Sequence, residues 1–192
     1  MGRIRDLTEH ENELCRALGE VVIFWNHVER SFRILLQRAT HLGGSDGRIW
    51  SLVAHLTPVQ LKDAMIALSG DHADDRRDHL IHCAKLFDRE REYRNHFVHG
   101  PLTFLTTDAS SSALVSTVTA RGGDLSHRRA KIDAKEIMQF RDRLDDLQAY
   151  IGELIEDSHN LRRGQPLCDL ERPKINPPLT IARQSWWKDA AN

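Results

Sequence analysis

Nine residues, Glu92 to Gly100, read "EYRNHFVHG" and bring an arginine, an asparagine and two histidines together just before Pro101. Histidine, with an ordinary pKa of about 6.5, exchanges protons near neutral pH. Arginine keeps its charge and offers anionic oxygens a fixed fork of donors. On a helix, positions four apart lie nearly one above the other, so Asn95 is placed to reach His99, and Arg91 to reach Asn95. Arg94 and His99 are five apart, about 140° around an ideal helix. They converge on one small ligand only where the last turn unwinds or a symmetric partner supplies a second set. Gly100 permits such a terminal turn, and Pro101 forbids the helix to resume.

The same residues have a plainer use. Histidine and arginine near a helix C-terminus complement its dipole, and glycine is the commonest residue just past it. Asp88, Glu90 and Glu92 stand where they can pair with Arg89, Arg91 and Arg94, which would make a solvated helical face.

Either use requires a helix that ends here, and the rest of the chain supplies its neighbours. Leu14, Leu18, Val21, Trp25, Val28, Phe32, Leu35 and Ala39 alternate steps of four and three, which predicts one long amphipathic helix. The glycines of "HLGGSDG" close it with a turn. "RIWSLVAHL" has a short helical pattern, and Thr57-Pro58 then provides an N-cap and a first-turn proline for "VQLKDAMIAL". From Asp74 to Val98 the spacing returns through Leu80, Ala84, Phe87, Arg91, Arg94 and Val98, so two arginines occupy what began as an apolar stripe. "LTFLTT", "ALVSTVTA" and "RRAKID" are short and rich in β-branched residues, which predicts a small β-hairpin, with material for a third strand, at about 102–132. Asp133 and Glu136 form a capping box for a last helix through Ile137, Phe140, Leu144, Leu147, Ile151 and Leu154.

The expected fold is therefore mainly α: an up-and-down bundle of four to five helices, with the hairpin inserted before the last. Residues 1–160 form the bundle, and Pro166, Pro173, Pro177 and Pro178 keep 161–192 as an extended C-terminal tail. Trp186 and Trp187 in that tail are candidates to fold back onto the body or a partner.

A chain of 192 residues is enough for one respectable core, and 40% apolar with 29% charged residues is an ordinary globular composition. No apolar run is long enough to cross a bilayer, and the charged start "MGRIRDLTEHENEL" lacks the apolar segment of a secretory signal, so the expected compartment is the cytoplasm. Asp6 stands where a myristoylation motif needs Ser or Thr. Cys15, Cys83 and Cys168 are odd in number and far apart, which predicts reduced packing residues. Eleven histidines invite a metal, yet none forms HxxxH with a supporting acid, and His79 with His82 lacks a third ligand. No metal and no cofactor is expected. A net charge of −1 argues against a large basic field for nucleic acid while leaving room for a local phosphate site.

"RNHFVH", Arg94 to His99, resembles the RxxxxH motif of the HEPN superfamily, in which the residue after the arginine is commonly Asn, Asp or His. The size of the bundle, the motif's place at the end of a later helix, and "WNHVE" in the first helix, with Asn26 and Glu29, agree with that resemblance. It covers roughly residues 8–157 as architecture and 94–100 as specific residues. It implies metal-independent endoribonuclease chemistry, often in toxin-antitoxin, defence or RNA-processing settings, with a composite site across a homodimer. An RNA substrate and an antitoxin or other protein partner are implied with it.

In that reading His99 is the acid or base, Arg94 stabilises the developing phosphorane charge, and Asn95 orients His99 or binds phosphate. Arg91 and His96 repeat the Arg-to-His separation, but Glu92 follows Arg91 and would repel phosphate, so this second pair is expected to line the substrate groove. Glu29 joins the substrate-binding set as the partner of an arginine across the bundle. The alternative is a non-catalytic HEPN-like module for dimerisation or for nucleotide or partner binding, which the lack of a basic track favours.

Overall fold

Three helices begin with the same reciprocal cap. Thr8 donates its backbone N–H to Glu11 (2.8 Å) while its Oγ1 accepts from the Glu11 N–H (3.3 Å). Thr57 and Gln60 repeat the exchange at 2.8 and 3.4 Å, with Pro58 as the first helical residue. Asp133 and Glu136 repeat it at 3.1 and 2.7 Å. Each box satisfies two N–H groups that the helix start would otherwise leave without partners. Thr57→Ala removes one box at an exposed site and is expected to cost about 0.5–2 kcal/mol of stability. A shift in the urea midpoint at constant slope measures that loss.

The computed structural model describes residues 6–40, 47–99, 102–107, 110–121, 124–162 and 170–175, with side chains at all of these except 99, 102–131 and 159–162. Among them are five helices: α1 (Glu9–Ala39), α2 (Gly47–Ala54), α3 (Pro58–Ser69), α4 (Asp74–His99) and α5 (Ala134–Arg162). The fold is a mainly α helical bundle. Between α4 and α5 lie three strands, β1 (Leu102–Thr107), β2 (Ser110–Arg121) and β3 (Asp124–Ile132), in one antiparallel sheet of order β1-β2-β3. Val115 is the register point, paired with Leu102 on one side and Ala130 on the other. No helix among the described residues is long and apolar enough to cross a membrane.

The backbone divides into two compact units, Met1–Val22 with Tyr93–Phe140 and Pro178–Asn192, and Ile23–Glu92 with Arg141–Pro177. In the first, Leu14, Ala17 and Val21 of α1 and Ile137 of α5 are buried, and Phe140 takes ring contacts from Tyr93 (5.8 Å) and Phe97 (5.2 Å). In the second, Phe87 of α4 stacks on both Trp25 (5.1 Å) and Phe32 (4.1 Å) of α1, all three fully buried. Offset aromatic contacts of this kind add to the burial of large apolar area.

The second unit also holds polar contacts in its interior. Arg76 of α4 and Asp157 of α5, 4% and 1% exposed, form an ion pair at 2.7 Å, and Arg76 also donates to Ser158 Oγ. Ser158 in turn donates to the Leu154 carbonyl at 2.7 Å. Burial pulls the Arg76 guanidinium below its ordinary value, with Asp157 opposing. Elsewhere, Arg33 of α1 donates to the carbonyls of Val53 (3.3 Å) and Leu56 (2.9 Å), which closes the C-terminal end of α2.

Candidate functional site

The buried face of α4 fixes where its polar cluster goes. Leu80, Cys83, Ala84 and Phe87 are buried, and the stripe then continues through Leu86, Glu90, Tyr93 and Phe97. The expected stripe ran instead through Arg91, Arg94 and Val98, one position later. The two large rings of Tyr93 and Phe97, four residues apart, account for the difference: seating both on Phe140 buries more apolar surface than seating Val98 and two arginine stems. The polar residue inside the stripe is thus Glu90, 2% exposed, and Arg143 of α5 meets its carboxylate at 3.4 Å.

With Tyr93 and Phe97 turned inward, Arg94, Asn95 and His96 flank that contact and are half-buried. Arg94 Nη1 donates to Asn95 Oδ1 at 3.1 Å. Asn95 therefore holds the guanidinium by its carbonyl oxygen, while its expected reach to His99 falls on a side chain outside the described residues. His99 closes α4, and its side chain lies outside the described residues, as do Gly100 and Pro101. The Arg94–Asn95 contact is the part of the expected catalytic set that the described side chains bring together.

The candidates for substrate binding have other engagements. Arg91 donates from Nε (2.9 Å) and Nη2 (2.8 Å) to Asp88 one turn earlier, and Arg89 pairs with Glu92 at 3.0 Å. Glu29 is held within its own helix, accepting from Trp25 Nε1 at 2.9 Å and pairing with Arg33 at 2.5 Å. Its arginine is thus a neighbour on α1. Glu29 and Arg91 belong to the second unit, and Arg94, Asn95 and His96 to the first. Among the described residues no group of three His, Cys, Asp or Glu is arranged to hold a metal ion. Cys15 and Cys83 are free thiols; Cys15 is exposed, while burial pushes the Cys83 thiol well up. Cys168, Trp186 and Trp187 lie outside the described residues.

A second cluster lies where α4 meets α5 and gathers His79 and His82, which the sequence offered only as a metal pair without a third ligand, around Tyr150, which it did not single out. His79 Nδ1 lies 2.7 Å from the Tyr150 hydroxyl, and His82 Nε2 lies 2.7 Å from the Pro173 carbonyl oxygen. Tyr150 is buried and its phenol is pushed up, mainly by desolvation. A signal was present: Tyr150 follows Leu147 by three and precedes Leu154 by four, so its hydroxyl had to enter the interior on the apolar stripe of α5 and find a partner there. Compared with models of known families, with curated proteins and with solved structures, the chain gives no match.

Proposed function

We propose that this chain is a metal-independent endoribonuclease of HEPN type, with Arg94 and His99 as its catalytic pair. The observation that carries the reading is the run from Arg94 to His99 at the very end of a 26-residue helix in a mainly α bundle, with Arg94 tethered to the adjacent Asn95.

The chemistry needs two functions. His99 takes the proton of an RNA 2′-hydroxyl, or returns one to the leaving oxygen. The 2′-oxygen forms its bond to phosphorus as the bond to the 5′-oxygen breaks, leaving a 2′,3′-cyclic phosphate and a 5′-hydroxyl. Arg94 stabilises the added negative charge on the phosphoryl oxygens as that exchange passes its highest point. A second copy of the chain, bringing its own Arg94 and His99, would offset the five-residue spacing, which turns the two side chains apart on a straight helix.

The second reading, a non-catalytic module for dimerisation or partner binding, draws on the pairing of Arg89 and Arg91 with Glu92 and Asp88, which leaves little free positive charge along α4. One assay separates the two. Wild type, Arg94→Ala and His99→Ala are incubated with a structured RNA, with circular dichroism to establish that all three are folded. Cleavage by wild type and its loss in both variants is the expected result. Equal cleavage by all three, or none by any, removes the nuclease reading in favour of the binding module. An RNA with a 2′-deoxy nucleotide at the cut position should resist cleavage there; continued cutting would mean that the 2′-hydroxyl is not the nucleophile.

A further inference from the structure

Beyond α5, residues 170–175 form a strap without regular secondary structure in the second unit. Among the described residues, two side-chain contacts hold it. His82 Nε2 donates to the Pro173 carbonyl at 2.7 Å, and Arg172 Nη2 meets Asp78 at 3.6 Å. Proline has no N–H, so its carbonyl is the one backbone group through which it can be hydrogen-bonded. The strap walls one side of a cleft of 770 Å³ whose other sides include Leu86 and Glu90 of α4 and Arg143 and Tyr150 of α5. His79 and His82 both meet Tyr150, the first by its 2.7 Å contact with the hydroxyl, the second edge-on with ring centroids 6.0 Å apart.

We propose that residues 170–175 are a proton-sensitive strap, closed along the α4–α5 cleft while His79 is uncharged and released when His79 takes up a proton.

The charges around His79 favour this direction. Arg172 of the strap and His82 of α4 oppose a positive charge on His79, while Asp75 of α4 and Asp157 of α5 support one, and the Tyr150 hydroxyl touches it. Asp157 is already committed to Arg76, and Asp78 to Arg172. A proton on His79 therefore places a second cation near Arg172 in a partly desolvated setting. Burial first, then Arg172 and His82, hold His79 below the ordinary imidazole value of 6.5.

Arg172 is the part of that lowering carried by the strap, so release of the strap removes it, and the closed strap binds fewer protons than the open one. The contribution of His79 to closure is thus present while the imidazole is neutral and is lost as pH falls from 6.5 through the closed-state value. His82 can donate to Pro173 whether charged or neutral, so the switch resides on His79.

Hydrogen exchange of the intact protein from roughly pH 8 to pH 5, corrected for intrinsic rates, tests the strap. The segment 170–175 is expected to lose protection several-fold on acidification while α4 and α5 keep theirs. His79→Gln, which cannot charge, should hold the strap's protection level across the range. Arg172→Gln, at a side chain 42% exposed and so safe for folding, should lower protection at neutral pH and flatten its pH dependence. Three outcomes overturn the proposal: strap protection that does not change with pH in the wild type, loss of strap and helix protection in one step, or wild-type pH dependence in His79→Gln.

Discussion

Replacing His99 with alanine is expected to slow RNA cleavage about a hundred- to ten-thousandfold, the contribution usually made by a positioned general acid or base. The loss should fall on the catalytic rate more than on RNA affinity, because a proton in flight exists only during reaction. Removing the imidazole should also erase the limb of the pH–rate profile near neutrality that its own titration sets. Arg94→Ala is expected to cost about a hundred- to a thousandfold, the scale seen when one donor to a developing oxyanion is removed. Arg94→Lys distinguishes charge from shape: it keeps the cation and loses the fork, so a partial recovery is expected. Initial rates on one defined RNA, with all variants checked for folding, read these effects. A His99→Ala enzyme within a few-fold of wild type would remove histidine from the chemistry.

Asp157→Ala is the substitution expected to damage the fold most among those considered. It strands the Arg76 guanidinium, 4% exposed, with Ser158 as its remaining named partner. Breaking a buried pair from one side costs about 3–5 kcal/mol, because the surviving charge keeps its desolvation penalty and loses its attraction. That is a large part of the stability of a typical domain. Replacing both partners with leucine should recover most of the loss, since buried pairs are often worth little against apolar groups of similar size. Urea unfolding of the wild type, the single variant and the double variant measures both effects. A loss under about 1 kcal/mol for Asp157→Ala would mean that water or another anion reaches Arg76.

The parts of this molecule that were legible in the sequence are those written over short spans. The stripe from Leu14 to Ala39 has a helical period, and seven of its eight members are buried, Leu18 being half-buried. The caps at Thr57 and Asp133 are three-residue patterns with a direct physical meaning. The cap at Thr8 is of the same kind, and overlooking it placed the start of α1 at Leu14, five residues late. Arg94 and Asn95 were legible for the same reason, being adjacent on one turn.

What escaped was long-range. Arg76 and Asp157 are 81 positions apart, and His79 and Tyr150 are 71 apart. No local period connects such residues. They left a trace only as polar groups at apolar positions: Arg76 stands four before Leu80, and Ser158 seven after Ile151. The one-position drift of the stripe on α4 has a similar origin, because the ring that captures Tyr93 and Phe97 belongs to a different helix.

The grip of Arg33 on the end of α2 has a consequence for where that helix draws its stability. An eight-residue helix is well below the length of about twelve at which isolated helices become even marginal in water. The carbonyls of Val53, in its last turn, and of Leu56, two residues past its end, accept from the Arg33 side chain 20 and 23 residues upstream, which Glu29 holds in place on α1. α2 is therefore expected to draw its stability from α1: fraying of the turn that sets Glu29 against Arg33 withdraws both donors, so the protection of the two segments against hydrogen exchange should fall together.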